Sequence, residues 1–123
     1  MPNKVVHFEI PADDPEKASK FYTDVFGWNI TSWGGEQPYW LVNAGPQEEP
    51  GINGGLMKKQ DGHHPVTIVI GVDSVDAYVP KIEAAGGTIV VPKMPIPGVG
   101  YVAYFKDLDG NIVGVYHEDA SAA

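Results

Sequence analysis

Hydrophobic and polar positions change period several times along this chain, and the changes mark out short elements. From Lys4 to Ile10 they alternate, with Val6, Phe8 and Ile10 on one side and Val5, His7 and Glu9 on the other. That is the two-residue period of a strand with one apolar face. The period then lengthens. Ala18, Phe21, Tyr22, Val25 and Phe26 fall at i, i+3, i+4, i+7 and i+8, one stripe of a helix. Asp14 before Pro15 offers an N-cap and a first helical residue that needs no amide hydrogen, and Gly27 offers the left-handed residue that closes the helix. Strands are expected at 28–33, ended by Gly34-Gly35, at 39–42, and over the glycine-rich 51–59. Glycines in that last segment signal bends or close backbone approach.

The order then restarts. Residues 66–72 predict a strand, and Asp73-Ser74 caps a helix carrying Val75, Tyr78, Val79 and Ile82, ended by Gly86-Gly87. Pro80 lies beyond the first turn of this helix and removes one helical hydrogen bond, at about 3 kcal/mol if unrelieved. Strands follow at 89–91, 101–105 and 112–117, with 92–97, rich in proline, as an extended, irregular connection. The halves match at a fixed offset: Val6 with Val66, His7 with Thr67, Phe8 with Ile68, Ile10 with Ile70, Asp13-Asp14 with Asp73-Ser74, Gly27 with Gly87. Each half reads β-α-β-β-β. The expected class is α+β: two tandem βαβββ modules, about 1–60 and about 61–123, in a single domain spanning 1–123. Repetition of one unit implies a pseudo-twofold, because neither half buries its sheet face alone. The expected form is a curved mixed-sheet cup with helices on the outer face.

Composition narrows the function. The 123 residues, at 13.2 kDa and 43% hydrophobic, suit one self-sufficient globular domain. The absence of cysteine excludes disulfides, thiolate nucleophiles and cysteine-ligated metals. All eight basic residues are lysines against sixteen Asp and Glu, for a net charge of −8. Such a chain lacks the basic face that displaces counterions from nucleic acid or an anionic membrane, and the guanidinium fork that clamps phosphate or carboxylate. The start has no basic segment leading into an apolar one, and no apolar run approaches the roughly 20 residues that span a bilayer. A soluble, cytoplasmic protein is expected.

Paired βαβββ modules in this length resemble the vicinal oxygen chelate superfamily, which includes glyoxalases, extradiol dioxygenases and bleomycin-resistance proteins. The resemblance rests on His7 within Val5-Val6-His7-Phe8-Glu9-Ile10, on Asp14 to Trp28 with Phe21-Tyr22 and Phe26-Gly27-Trp28, and on Phe105-Lys106-Asp107-Leu108-Asp109-Gly110-Asn111. It implies a divalent metal held by residues on the first and last strands of each module, acting as Lewis acid on vicinal oxygens. His7 matches the first position. The equivalent positions hold Thr67, Gly114 and Gly54-Gly55-Leu56, which supply no imidazole or carboxylate. One ligand does not make a catalytic site, which needs about three plus an open position. No metal and no cofactor are therefore expected. His7 remains the candidate catalytic residue, as a general base or a hydrogen-bond partner.

Strand parity places the candidate ligand site. If Val6, Phe8 and Ile10 face the helix, His7 faces the cup, with Thr67 and Val69 at the equivalent place in the second module and Ile112, Gly114 and Tyr116 beside them. Gly114 is expected to leave a hollow where the family has a carboxylate, and Tyr116, Trp40 and Tyr104 to form aromatic walls. Such a cup suits a flat or apolar small molecule. Other features read as structural. His63-His64 belongs to a solvated loop, and Asn29-Ile30-Thr31 matches a glycosylation sequon by chance. Asp107, Asp109, Asn111 and Glu118 mimic a calcium loop, but Ile112 stands where that loop requires glycine, so Asp109-Gly110 is read as a hairpin turn. Three functions remain open: a metal-independent small-molecule binder, an enzyme of the lyase, isomerase or dioxygenase kind, and an interaction module. A homodimer is expected, with a second copy covering exposed apolar sheet.

Overall fold

The computed structural model describes residues 3–33, 38–60 and 65–123, so Gly34-Gly35 and His63-His64 lie outside the described residues. Strand β1 (Val5–Ala12), helix α1 (Pro15–Phe26) and strands β2 (Asn29–Ser32), β3 (Tyr39–Asn43) and β4 (Asn53–Lys58) form the first module. The same order returns as β5 (Thr67–Gly71), α2 (Val75–Ala84), β6 (Thr88–Ile96), β7 (Gly100–Lys106) and β8 (Ile112–Glu118). The class is α+β with two tandem βαβββ modules, as the repeat predicts. The chain divides into two compact units, His7–Val66 and Thr67–Ala123, the second also taking the residues before His7.

In the first unit the strand order is β2-β3-β4-β1. β1 runs parallel to β4, with His7 opposite Asn53 and Glu9 opposite Gly55. β3 lies antiparallel to β4, with Leu41 opposite Gly55, and β2 antiparallel to β3, with Thr31 opposite Leu41. Helix α1 starts where a carboxylate can take an orphan amide: Asp14 accepts from the Lys17 N–H at 3.3 Å, and Pro15 opens the helix. Gly27, at φ 72°, ends it by donating its N–H to the Thr23 carbonyl. The ring of Phe8 lies 5.7 Å from that of Trp28, which stacks on Tyr22 at 5.0 Å and meets Phe26 at 5.9 Å. This cluster fixes the helix-facing side of the sheet. On that side Val42 and Leu56 are 2% and 0% exposed. Gly54 has to be glycine because a Cβ there would run into the Phe8 ring. The apolar stripe of α1 is only partly covered, and Phe21, Val25 and Phe26 stay 56%, 57% and 60% exposed.

The second unit orders its strands β5-β8-β7-β6. β5 is parallel to β8, with Val69 opposite Gly114, and β7 is antiparallel to β8, with Tyr104 opposite Gly114. Val72, Val75, Ala103 and Val115 form its core, with Ile70, Tyr78 and Ile82 packed on them. Helix α2 is capped twice: Ser74 Oγ accepts from the Ala77 N–H at 3.2 Å, and His117 Nδ1 accepts from the Val75 N–H at 2.8 Å. The helix continues through Pro80 to Ala84. One expectation needs correction. The proline-rich segment is no irregular connection, because β6 runs unbroken through Pro92 and Pro95, with register shifts between Ile89, Val91 and Met94. β6 is the outermost strand of this unit's order, with a ladder on one side only, so an edge proline whose N–H position points away from β7 costs no ladder bond. The turn before β8 is held by Asp107, whose carboxylate accepts the Asp109 and Asn111 backbone N–H groups at 2.9 Å each and Asn111 Nδ2 at 3.1 Å. Its oxygens brace the turn, and these bonds hold the carboxyl below its ordinary range.

Two substitutions separate core from surface. Leu56→Ala should cost about 3 kcal/mol in urea unfolding, the usual range for emptying a sealed aliphatic site. Asp14→Ala should cost about 1 kcal/mol through loss of the cap.

Candidate functional site

The side of the first unit's sheet turned away from α1 carries the polar alternates of every strand. β1 places His7 and Glu9 there, two residues apart on one face. β3 places Tyr39, Leu41 and Asn43 there, β2 places Asn29 and Thr31, and β4 places Asn53 and Gly55. The Tyr39 ring lies across Gly55, where any Cβ would collide with its hydroxyl. That crossing carries Tyr39 Oη from β3 past β4 to β1, where it lies 2.9 Å from His7 Nε2 and donates to Glu9 Oε2 at 3.4 Å. An open pocket of about 350 Å³ adjoins His7, lined also by Asn29, Thr31, Leu41, Val42, Asn43, Asn53 and Gly54. Among the described residues, no lysine, aspartate or glutamate lines it. Asn53 Oδ1 accepts from the Ala44 N–H at 3.0 Å and Asn43 Oδ1 from the Gly45 N–H at 3.1 Å. Both amide oxygens are thereby tied to the backbone, and the NH₂ groups are what these side chains offer a ligand.

The remaining expected residues distribute unevenly. His7 stands on the expected face. Thr67 is 3% exposed at the start of β5, in the other unit. Gly114, Tyr104 and Tyr116 lie on the side of the second sheet away from α2, since Val115 and His117 pack toward that helix. Gly114 leaves no hollow: a Cβ there would meet Tyr104 Cε1 at 3.1 Å and Val69 Cγ2 at 3.2 Å, so ring and methyl already fill the space. Tyr116 Oη donates to the Val99 carbonyl at 3.4 Å. Trp40 is no wall of the pocket. It alternates with Tyr39 and shares the α1 side with Val42 and Leu56. The aromatic that reaches the site is Tyr39. The paired glycines of β4 were the available signal, since bare backbone invites a ring from the neighbouring strand. Asn29 and Thr31, the ends of the sequon, line the pocket instead.

This donor set does not fit the divalent metal that the fold family implies. His7 Nε2 is engaged by Tyr39, the Glu9 carboxylate takes the same hydroxyl, and the other family positions hold Thr67, Gly114 and the two glycines filled by Phe8 and Tyr39. Among the described residues, no group of three or more His, Cys, Asp or Glu converges.

Burial holds His7 below its ordinary value of 6.5, against the opposing pull of Glu9. Burial and then the Glu9 charge push the Tyr39 phenol upward, so it keeps its proton. The His7 shift has a stability consequence. The unfolded chain takes up a proton near pH 6.5 while the folded chain does not, so stability falls as pH drops below 6.5 toward the folded value. Urea unfolding at pH 7 and pH 5 should therefore show a larger loss for the wild type than for His7→Gln.

Comparison with known proteins agrees with the fold. The sequence profile of the Glyoxalase/Bleomycin resistance protein/Dioxygenase superfamily matches residues 4–115. A protein named "Putative glyoxylase CFP32" from Mycobacterium tuberculosis is 29% identical over 112 residues, covering 88% of this chain, which spans only 43% of that relative's length. The lactoylglutathione lyase of Haemophilus influenzae is 30% identical over 117 residues, covering 87% of each chain. The crystal structure of methylmalonyl-CoA epimerase from Mycobacterium tuberculosis shares the fold with a TM-score of 0.72 at 14% identity, over 94% of this chain and 87% of that one. Nor is any helix among the described residues long and apolar enough to cross a membrane. With the β-α-β-β-β repeat and a profile match over nearly its whole length, the chain belongs to the Glyoxalase/Bleomycin resistance protein/Dioxygenase superfamily.

Proposed function

We propose that this protein binds a small uncharged molecule on the sheet face of its first module, beside His7, without a metal cofactor. The observation that carries this reading is the pocket's lining: amides, one hydroxyl, a leucine, a valine, a glycine and an imidazole whose Nε2 is already held by Tyr39. A few directed polar groups beside apolar ones orient a small ligand, and the uncharged lining among the described residues favours a neutral one. The test is elemental analysis after purification without chelator, paired with thermal unfolding with and without EDTA. No stoichiometric divalent ion and an unchanged Tm are expected. Zinc, nickel or iron at one per chain, lost on His7→Ala, would contradict the reading.

The lactoylglutathione lyase named among the relatives favours a second reading, a metal-dependent lyase. A metal-stimulated turnover above about 1 s⁻¹ on the glutathione hemithioacetal of methylglyoxal, well inside the usual enzyme range, would establish it. None is expected, because the ligand set is incomplete and no arginine is present for an anionic adduct. We also propose a cytoplasmic homodimer. The exposed Phe21, Val25 and Phe26 on α1 support association. Light scattering should return twice 13.2 kDa, and a monomer at micromolar concentration would sink the proposal.

A further inference from the structure

Tyr39 has one hydroxyl hydrogen and two neighbours that could take it. Directed at the Glu9 carboxylate, the stronger acceptor, it leaves Oη as an acceptor, and the group 2.9 Å away is His7 Nε2. Nε2 must then carry the imidazole proton. In a neutral ring this leaves Nδ1 with a lone pair, and among the described residues Nδ1 has no hydrogen-bond partner. His7 lines the pocket whose asparagines offer NH₂ donors. A basic nitrogen beside amide donors is the pairing needed to remove a proton and hold the resulting oxyanion.

We propose that the pocket is a metal-free proton-transfer site for an uncharged carbon acid whose deprotonation puts negative charge on oxygen, with His7 Nδ1 as the base and Tyr39 and Glu9 as positioning residues. This rests on the ligand site assigned above and names its substrate class. The proton leaves carbon for Nδ1 and its bonding pair passes through the ligand to an oxygen, which takes hydrogen bonds from the amides of Asn43 and Asn53 as it gains charge. As Nδ1 gains a proton, the Nε2 proton moves to Tyr39 Oη and the Tyr39 proton moves to Glu9. The ring and the phenol both end neutral, the carboxyl ends protonated, and the only charge created is on the ligand. Return of the proton along the same path regenerates the site.

The probe is 5-nitrobenzisoxazole, a flat, uncharged carbon acid. A base takes its ring C–H proton, the freed pair forms a nitrile, and the N–O bond breaks to release a coloured cyanonitrophenolate. The full chain should accelerate this reaction about 10²-fold more than His7→Ala does, the low end for a positioned base. Tyr39→Phe and Glu9→Gln should each lose about 10-fold, the usual loss on removing a partner that orients a functional imidazole. The inflection of the rate–pH profile should also move lower in Glu9→Gln, since Glu9 is the group that raises the His7 value. Circular dichroism of each variant controls for folding, and His7→Gln repeats the test if His7→Ala unfolds. A wild-type rate equal to that of the His7 variants overturns the proposal while leaving the binding reading standing. Loss only at His7, with wild-type rates and pH profiles in Tyr39→Phe and Glu9→Gln, overturns the relay.

Discussion

The packing of Phe8 against Trp28 sets the phase of β1, and the chemistry of the first module depends on that phase. Trp28 lies between Phe8 and the rings of Tyr22 and Phe26 on α1, so Phe8 has one available side. A strand turns successive side chains to opposite faces, so His7 and Glu9 must go to the other. A slip of one residue would put an imidazole and a carboxylate under the helix and strip Phe8 of its partners. The apolar side thus holds the register, and the polar side inherits its geometry from it.

Two adjacent glycines let both faces work at one point of β4. Gly54 gives way to the Phe8 ring on the helix side, and Gly55 gives way to the Tyr39 ring on the other. Without bare backbone at Gly55, the hydroxyl of a β3 residue could not cross a whole strand to reach His7. The crossing also determines the electrostatics. It places a protonated phenol between a half-buried imidazole and a carboxylate, whose charge pulls the His7 value up against the larger, lowering effect of burial.

How much of this was legible in the sequence depended on how cleanly each strand alternated. From Val6 to Ile10 β1 alternates cleanly, and the placement of His7 followed from it. Residues 39–42 of β3, Tyr39-Trp40-Leu41-Val42, are apolar throughout, so no period distinguished Tyr39 from Trp40. Only the pairing of β3 with β4 assigns the faces. Both helices were readable because their caps are local: Asp14, Pro15, Gly27 and Ser74 act within a turn of themselves. The proline-rich stretch was misread because proline reports on its own missing N–H and not on whether a neighbour strand needs it. On an outermost strand only one neighbour does, and only at alternate positions. Gly114 suggested space by its missing side chain, but the Tyr104 ring opposite it across the β7–β8 ladder fills that space.

The most direct measurement is of the His7 ring itself. Two-bond ¹H–¹⁵N correlation at pH 7 distinguishes a protonated ring nitrogen from one bearing a lone pair. The hydrogen-bond chain through Tyr39 to Glu9 predicts a neutral ring with the proton on Nε2 and a bare Nδ1, and a mixture of tautomers in Tyr39→Phe. A wild-type ring protonated on Nδ1 alone, or a full imidazolium at that pH, would contradict it.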